Sequence, residues 1–194
     1  MIIAPLHPLR LTGLLLAGWL IAGFAGPVEA KEEPLFSVDF ARTQLVDGVY
    51  QLNAGIRYQL SPALSDALHN GVALVFEVQV DVHRVRAWWL DAHVATVVQR
   101  YRLEYHALSR LYLVTHLNTG VQHSFFRFSS VLAFLGELEA LPLMDASLLN
   151  RESQYDGRLR ARIAVDALPL PLRVRAYLSP DWSPVSDWYT WSLR

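Results

Sequence analysis

The amino-acid sequence predicts a mainly β (α+β) fold, an antiparallel β-sandwich-like domain with two short helical insertions. Three observations lead there. Apolar and polar residues alternate with a period of two over several segments. Turn-forming residues fall between those segments, and only two stretches break the rhythm in favour of a helix. An open antiparallel sheet with both helices on one face satisfies the same pattern.

Residues 36–45 and 49–60 read as strands joined at Asp47-Gly48, a dipeptide suited to a tight hairpin. Ser61-Pro62 then opens a helix through Leu68, with Ser61 as N-cap, Pro62 in the first turn and Gly71 just past the end. Phe76-Glu77-Val78-Gln79-Val80-Asp81-Val82-His83 alternates strictly, as a strand with one dry face requires. Residues 94–105 and 111–117 predict a second hairpin, and Asn118-Thr119-Gly120 turns the chain into residues 121–128. Ser129-Ser130 opens a second helix, predicted to run through about Leu141 and to stop at Pro142. Leu132, Leu135 and Leu138 give it one apolar face. Residues 158–165 alternate again. Leu172-Arg173-Val174-Arg175-Ala176 repeats the pattern after Pro169 and Pro171, predicting a further strand.

Ahead of this domain, residues 1–30 read as a cleaved secretory signal peptide. Arg10 supplies a basic start, Leu11 to Phe24 form an uncharged apolar run of 14 residues, and Gly26-Pro27 break it. Val28 and Ala30 mark a small-residue cleavage site before Lys31. The run is shorter than the ~20 residues that span a bilayer. The expected product is a single periplasmic domain, residues 31–194, with no stable membrane insertion after cleavage; an uncleaved anchor is the competing reading. The chain has no cysteine, which excludes a lipid-modified thiol, disulfides and thiolate metal sites. A net charge of −1 gives no reason to expect a nucleic-acid partner.

Arginines recur at i, i+2: Arg84 and Arg86; Arg100 and Arg102; Arg158, Arg160 and Arg162; Arg173 and Arg175. On strands that spacing places each set on one face, and aligned strands would make a lattice able to hold carboxylate or phosphate groups. The plainer reading is a solvated face whose arginines pair cross-strand with Glu77, Asp81 and Glu104. Trp88-Trp89, Trp182, Trp188, Tyr189 and Trp191 crowd the same regions, either as stacked platforms or as packing at the core edge. Asp181-Trp182 and Asp187-Trp188 repeat an acid–Trp pair whose carboxylates suit local turn caps.

Asp91-x-His93 and Glu104-x-His106 each set a carboxylate and an imidazole on one strand face, a possible start for a base or a metal site. Neither has a third ligand or a nucleophile beside it in sequence. The chain contains no His-Glu-x-x-His, no Gly-x-Ser-x-Gly elbow and no phosphate-binding glycine loop. The candidate ligand- or partner-binding set is therefore Arg84, Arg86, Trp88, Trp89, Arg100, Arg102, His106, Arg160, Arg173, Trp182 and Trp188. No catalytic residue, metal ligand or cofactor is expected.

The order of strings resembles a known family. Leu60-Ser61-Pro62-Ala63-Leu64, Trp88-Trp89-Leu90-Asp91, Tyr105-His106-Ala107-Leu108-Ser109-Arg110 and Ser186-Asp187-Trp188-Tyr189 are similar to the proteobacterial exported family called domain of unknown function 4390. The resemblance covers nearly all of residues 31–194. It implies no assigned activity, and it implies an envelope partner such as a membrane sensor kinase. The functional expectation is a non-enzymatic periplasmic binding or interaction domain. A carrier of a small apolar or anionic, lipid-like ligand is the alternative, and a hydrolytic enzyme built on one of the acid–imidazole pairs is the third reading.

Overall fold

The inward alternation of Phe76, Val78, Val80 and Val82, all buried, fixes β3 (Leu74–Arg84) as the central strand of a six-stranded antiparallel sheet. The computed structural model describes residues 34–86 and 91–193. The expected signal peptide and Trp88-Trp89 lie outside the described residues. Around β3, the sheet order is β6 (Gln122–Phe125), β5 (Leu111–His116), β4 (Ala92–His106), β3, β8 (Tyr155–Ile163) and β9 (Tyr189–Ser192). A second sheet stacks β1 (Phe36–Val46), β2 (Val49–Tyr58) and β7 (Glu137–Asp145) in that order, again antiparallel. The domain is mainly β and sandwich-like, as the alternation predicts.

Asp47 and Gly48 both adopt positive φ, 49° and 80°, the backbone that a two-residue hairpin between right-twisted strands needs. The first helix forms where expected, as α1 (Pro62–His69). Ser61 caps it by accepting from the Leu64 amide at 3.2 Å, and its hydroxyl donates to the Asp181 carbonyl at 2.5 Å. Leu64 and Leu68 of α1 are buried in the core. There Phe36 meets Tyr58 edge-on at 4.8 Å and stacks near Phe76 at 6.0 Å. One flank of the sandwich is stitched shut: Thr43 on β1 donates to the Leu193 carbonyl at 3.2 Å, just past β9.

Two expectations are corrected. The second helix, α2 (Phe128–Gly136), ends five residues early, and Glu137–Asp145 leaves it to pair with β2. Gly136 explains the exit, because a Cβ there would collide with the Ile56 carbonyl. Pro142 then sits within β7 rather than stopping a helix, which is tolerated because β7 is an edge strand. The second correction concerns residues 172–176, which belong to a helix, α3 (Leu170–Leu178), and not to a strand. Pro169 at its N-cap and Pro171 in its first turn suit a helix start. Val174 and Leu178 are exposed, so their apolar character does not report a buried face. Strand β9 was also not foreseen; its four residues are too few for periodicity to mark. Among the described residues, every buried apolar residue lies between Phe36 and Leu193, within the compact unit Glu33–Arg194. Among the described residues, no helix is long and apolar enough to cross a membrane.

Candidate functional site

Because Phe76, Val78, Val80 and Val82 point inward, Glu77, Gln79, Asp81 and His83 must line the outer face of β3. The register with β4 and β8 turns them into rows. Glu77 lies between Arg100 and Arg162, Gln79 between Val98 and Arg160, and Asp81 between Thr96 and Arg158. In the first row, Arg100 Nε and Nη2 reach Glu77 Oε2 at 2.7 and 2.6 Å. Arg162 Nε and Nη2 reach Oε1 at 2.7 and 2.5 Å. Glu77 is only 2 % exposed, so this carboxylate depends on its two guanidinium groups for solvation. Arg100 also approaches Asp166 at 3.4 Å.

The next rows are bridged through neutral groups. Gln79 accepts from Arg160 Nη2 at 3.2 Å and donates to both Asp81 oxygens at 3.1 and 3.0 Å. Thr96 donates to Asp81 at 2.6 Å and in turn accepts from His93 Nε2 at 2.8 Å. Arg158 pairs with Asp91 at 2.7 Å. Among the described residues, Arg160 is thus the one arginine of β8 with no carboxylate in contact. Its guanidinium lies 4.4 Å from the Trp188 ring centre, and its buried Nε has no hydrogen-bond partner. Beside it runs an open groove of about 430 Å³ between β8 and α3, with Arg160, Arg162, Asp166, Tyr177 and Val185 in its lining.

The lattice therefore exists in part, with Arg100, Arg158, Arg160, Arg162 and Trp188 on one face. By the register, Arg102 shares that face opposite Val75, exposed near the end of β4. Arg84 does not: it follows Val82 on the inward side and faces Tyr155 at the sheet rim. Arg86 is exposed in the loop after β3, and Arg173 lies on α3, where its Nε donates to the Leu168 carbonyl at 2.7 Å. On a helix, i, i+2 spacing separates Arg173 from Arg175 instead of aligning them. Trp182, in the 3-10 turn Pro180–Trp182, packs against the core. The carbonyls of Asp181 and Asp187, not their carboxylates, take the local bonds, from the hydroxyls of Ser61 and Ser186. Of the cross-strand acids expected to pair with arginine, Glu77 does so, while Asp81 is satisfied by Gln79 and Thr96.

His106 is exposed at the last position of β4. Asp91 and His93 stand at the other end of the strand, so the two acid–imidazole pairs are roughly 40 Å apart. They do not converge, and Asp91 is engaged by Arg158 while His93 binds Thr96. Among the described residues, no three His, Cys, Asp or Glu groups gather as metal ligands would. Gln79, Tyr177 and Val185 are the members of the face and its groove that the sequence did not mark. Only the i, i+7, i+8 relation of Leu170, Tyr177 and Leu178 hinted at the helix that delivers Tyr177.

A second cleft, of about 400 Å³, opens between the sheets beside β7, with Tyr101, His116, Phe134, Glu137 and Pro142 in its lining. His116 stacks on Tyr101 at 4.7 Å. Its Nε2 donates to Gln99 at 2.6 Å and its Nδ1 accepts from Thr119 at 2.8 Å, the pattern of a neutral ring. Burial lowers the His116 pKa and raises that of Tyr101. Burial also raises the phenol of Tyr58 far above its ordinary value, with Tyr101 adding to the effect.

No curated protein and no solved structure matches the chain. A family model does, over residues 33–192, which takes in both sheets, all three helices and the whole arginine face. The chain belongs to the family described as domain of unknown function (DUF4390).

Proposed function

We propose that this is an exported, non-enzymatic periplasmic domain that binds another envelope protein, such as the outer segment of a membrane sensor kinase. The contact surface is the outer face of the six-stranded sheet. The observation that carries the reading is Arg160: a guanidinium over the Trp188 ring, with a buried Nε that has no acceptor, beside an open groove. A partner carboxylate entering the groove meets a guanidinium already positioned by Trp188 and by its bond to Gln79. The separation of the two acid–imidazole pairs supports binding rather than catalysis. Export rests on the signal-like residues 1–30.

Capture by tagged protein from envelope extracts under mild crosslinking tests this. The expected result is one retained partner, lost when Arg160→Gln is combined with Trp188→Ala. Retention unchanged by those substitutions would place the contact elsewhere and remove the reading.

The two open clefts, each near 400 Å³, favour a second reading, a carrier of a small apolar or anionic ligand. Native mass spectrometry of protein from its own host decides between them: a copurifying small molecule supports the carrier.

A further inference from the structure

Among the described residues, seven large apolar side chains are more than 60 % exposed, and six of them lie at one end of the sandwich. Leu108, fully exposed, tips the β4–β5 hairpin just past His106 and Leu111, which face each other. Phe126, 83 % exposed, follows Phe125, which pairs with Tyr112 beside the same tip. Helix α3 belongs to this end as well. It follows Ile163, the partner of Phe76 near the start of β3, and Leu74 of β3 pairs with Leu103, close to the tip. On α3, Leu170, Val174, Tyr177 and Leu178 stand at i, i+4, i+7 and i+8, one exposed stripe, while Ala176 alone is buried. The described chain also begins here: the Leu35 carbonyl accepts from the Gln59 amide, one residue past β2, and Phe36 stacks on Phe76.

We propose that this end of the domain rests on a lipid bilayer, with the hairpin tip and the α3 stripe entering the headgroup region. The inference goes beyond the partner-binding reading and uses the end of the sandwich, which shares Tyr177 with the groove beside Arg160. The tip is a hairpin turn with Leu108 fully exposed, which suits entry into a soft interface and encloses no small ligand. Arg110 and Arg127 neighbour Leu108 and Phe126 in sequence, and Arg173 and Arg175 lie on α3, where guanidinium groups meet lipid phosphates. Asp66, Glu104, Asp166 and Asp181 also lie toward this end, so charge nearly balances and the apolar side chains carry the binding. The chain supplies the proximity. The apolar run ends at Phe24, ten residues before Pro34, and ten extended residues reach ~35 Å at most. While that run occupies a bilayer, this end of the domain stays within reach of its surface at high effective concentration.

Flotation of residues 31–194 with vesicles tests the proposal, since this segment holds every buried apolar residue among the described ones and excludes the N-terminal apolar run. Vesicles of phosphatidylcholine alone and of phosphatidylethanolamine with phosphatidylglycerol are compared. The expected result is flotation with both. The pairs Leu108→Ser/Phe126→Ser and Val174→Ser/Leu178→Ser each lower the bound fraction about tenfold with unchanged circular dichroism. Three outcomes overturn the proposal. One is no flotation with either vesicle. Another is flotation with the anionic vesicle alone that ignores the substitutions. The third is concentration-dependent self-association, abolished by the same substitutions, which assigns the surface to a second copy.

Discussion

Glu77 is the residue on which the outer face turns. Its carboxylate is buried, yet both of its arginines are only half-buried and reach water when it is removed. Glu77→Gln is therefore expected to cost about 2–3 kcal/mol, less than the loss of a fully buried pair, as read by urea denaturation. Tyr58 shows the opposite imbalance. Its hydroxyl is buried without a partner, so Tyr58→Phe is expected to leave stability unchanged or raise it by about 1 kcal/mol. His116 links stability to pH. Its folded pKa lies below the ordinary 6.5, so the unfolded chain binds the proton more readily. Stability then falls as the pH drops from about 6.5 toward the folded pKa, and His116→Phe is expected to flatten that part of the profile in thermal melts. The sequence marked Glu77 as a cross-strand partner because strict alternation put it opposite arginines. It could not mark Arg160 as the arginine without a carboxylate, because that depends on the β3–β8 register, which sets Arg160 opposite Gln79.

Helix α1 was legible from Ser61, Pro62 and Gly71 because each obeys a local rule that needs no tertiary contact. Ser61→Ala removes both the cap and the bond to the Asp181 carbonyl. The expected cost is about 1–2 kcal/mol, a drop of about 3–6 °C in melting temperature by calorimetry. Helix α3 was misread for a related reason: Leu172 to Ala176 is too short a window to separate a period of two from one of 3.6. The α2–β7 boundary was hidden differently. Residues 132–138 keep a helical spacing of leucines across it, and only the approach of Gly136 to the Ile56 backbone turns the chain toward β2.

Most strands of the two sheets were legible, β7 and β9 excepted, but their order was not. Hairpin neighbours such as β1–β2 and β4–β5 follow from turn signals, whereas the β2–β7 and β3–β8 pairings join segments far apart in the chain. That order has a consequence for synthesis. Until Tyr155–Ile163 has been made, β3 lacks its second partner, and its row of Phe76, Val78, Val80 and Val82 borders an open edge. An edge of that kind templates pairing between chains. A truncated chain ending at Glu152 is expected to aggregate while the full domain stays in solution, as turbidity and size exclusion would report. The strand at the centre of the sheet thus waits for a partner made late in synthesis, and incomplete copies of this protein carry their own stickiness.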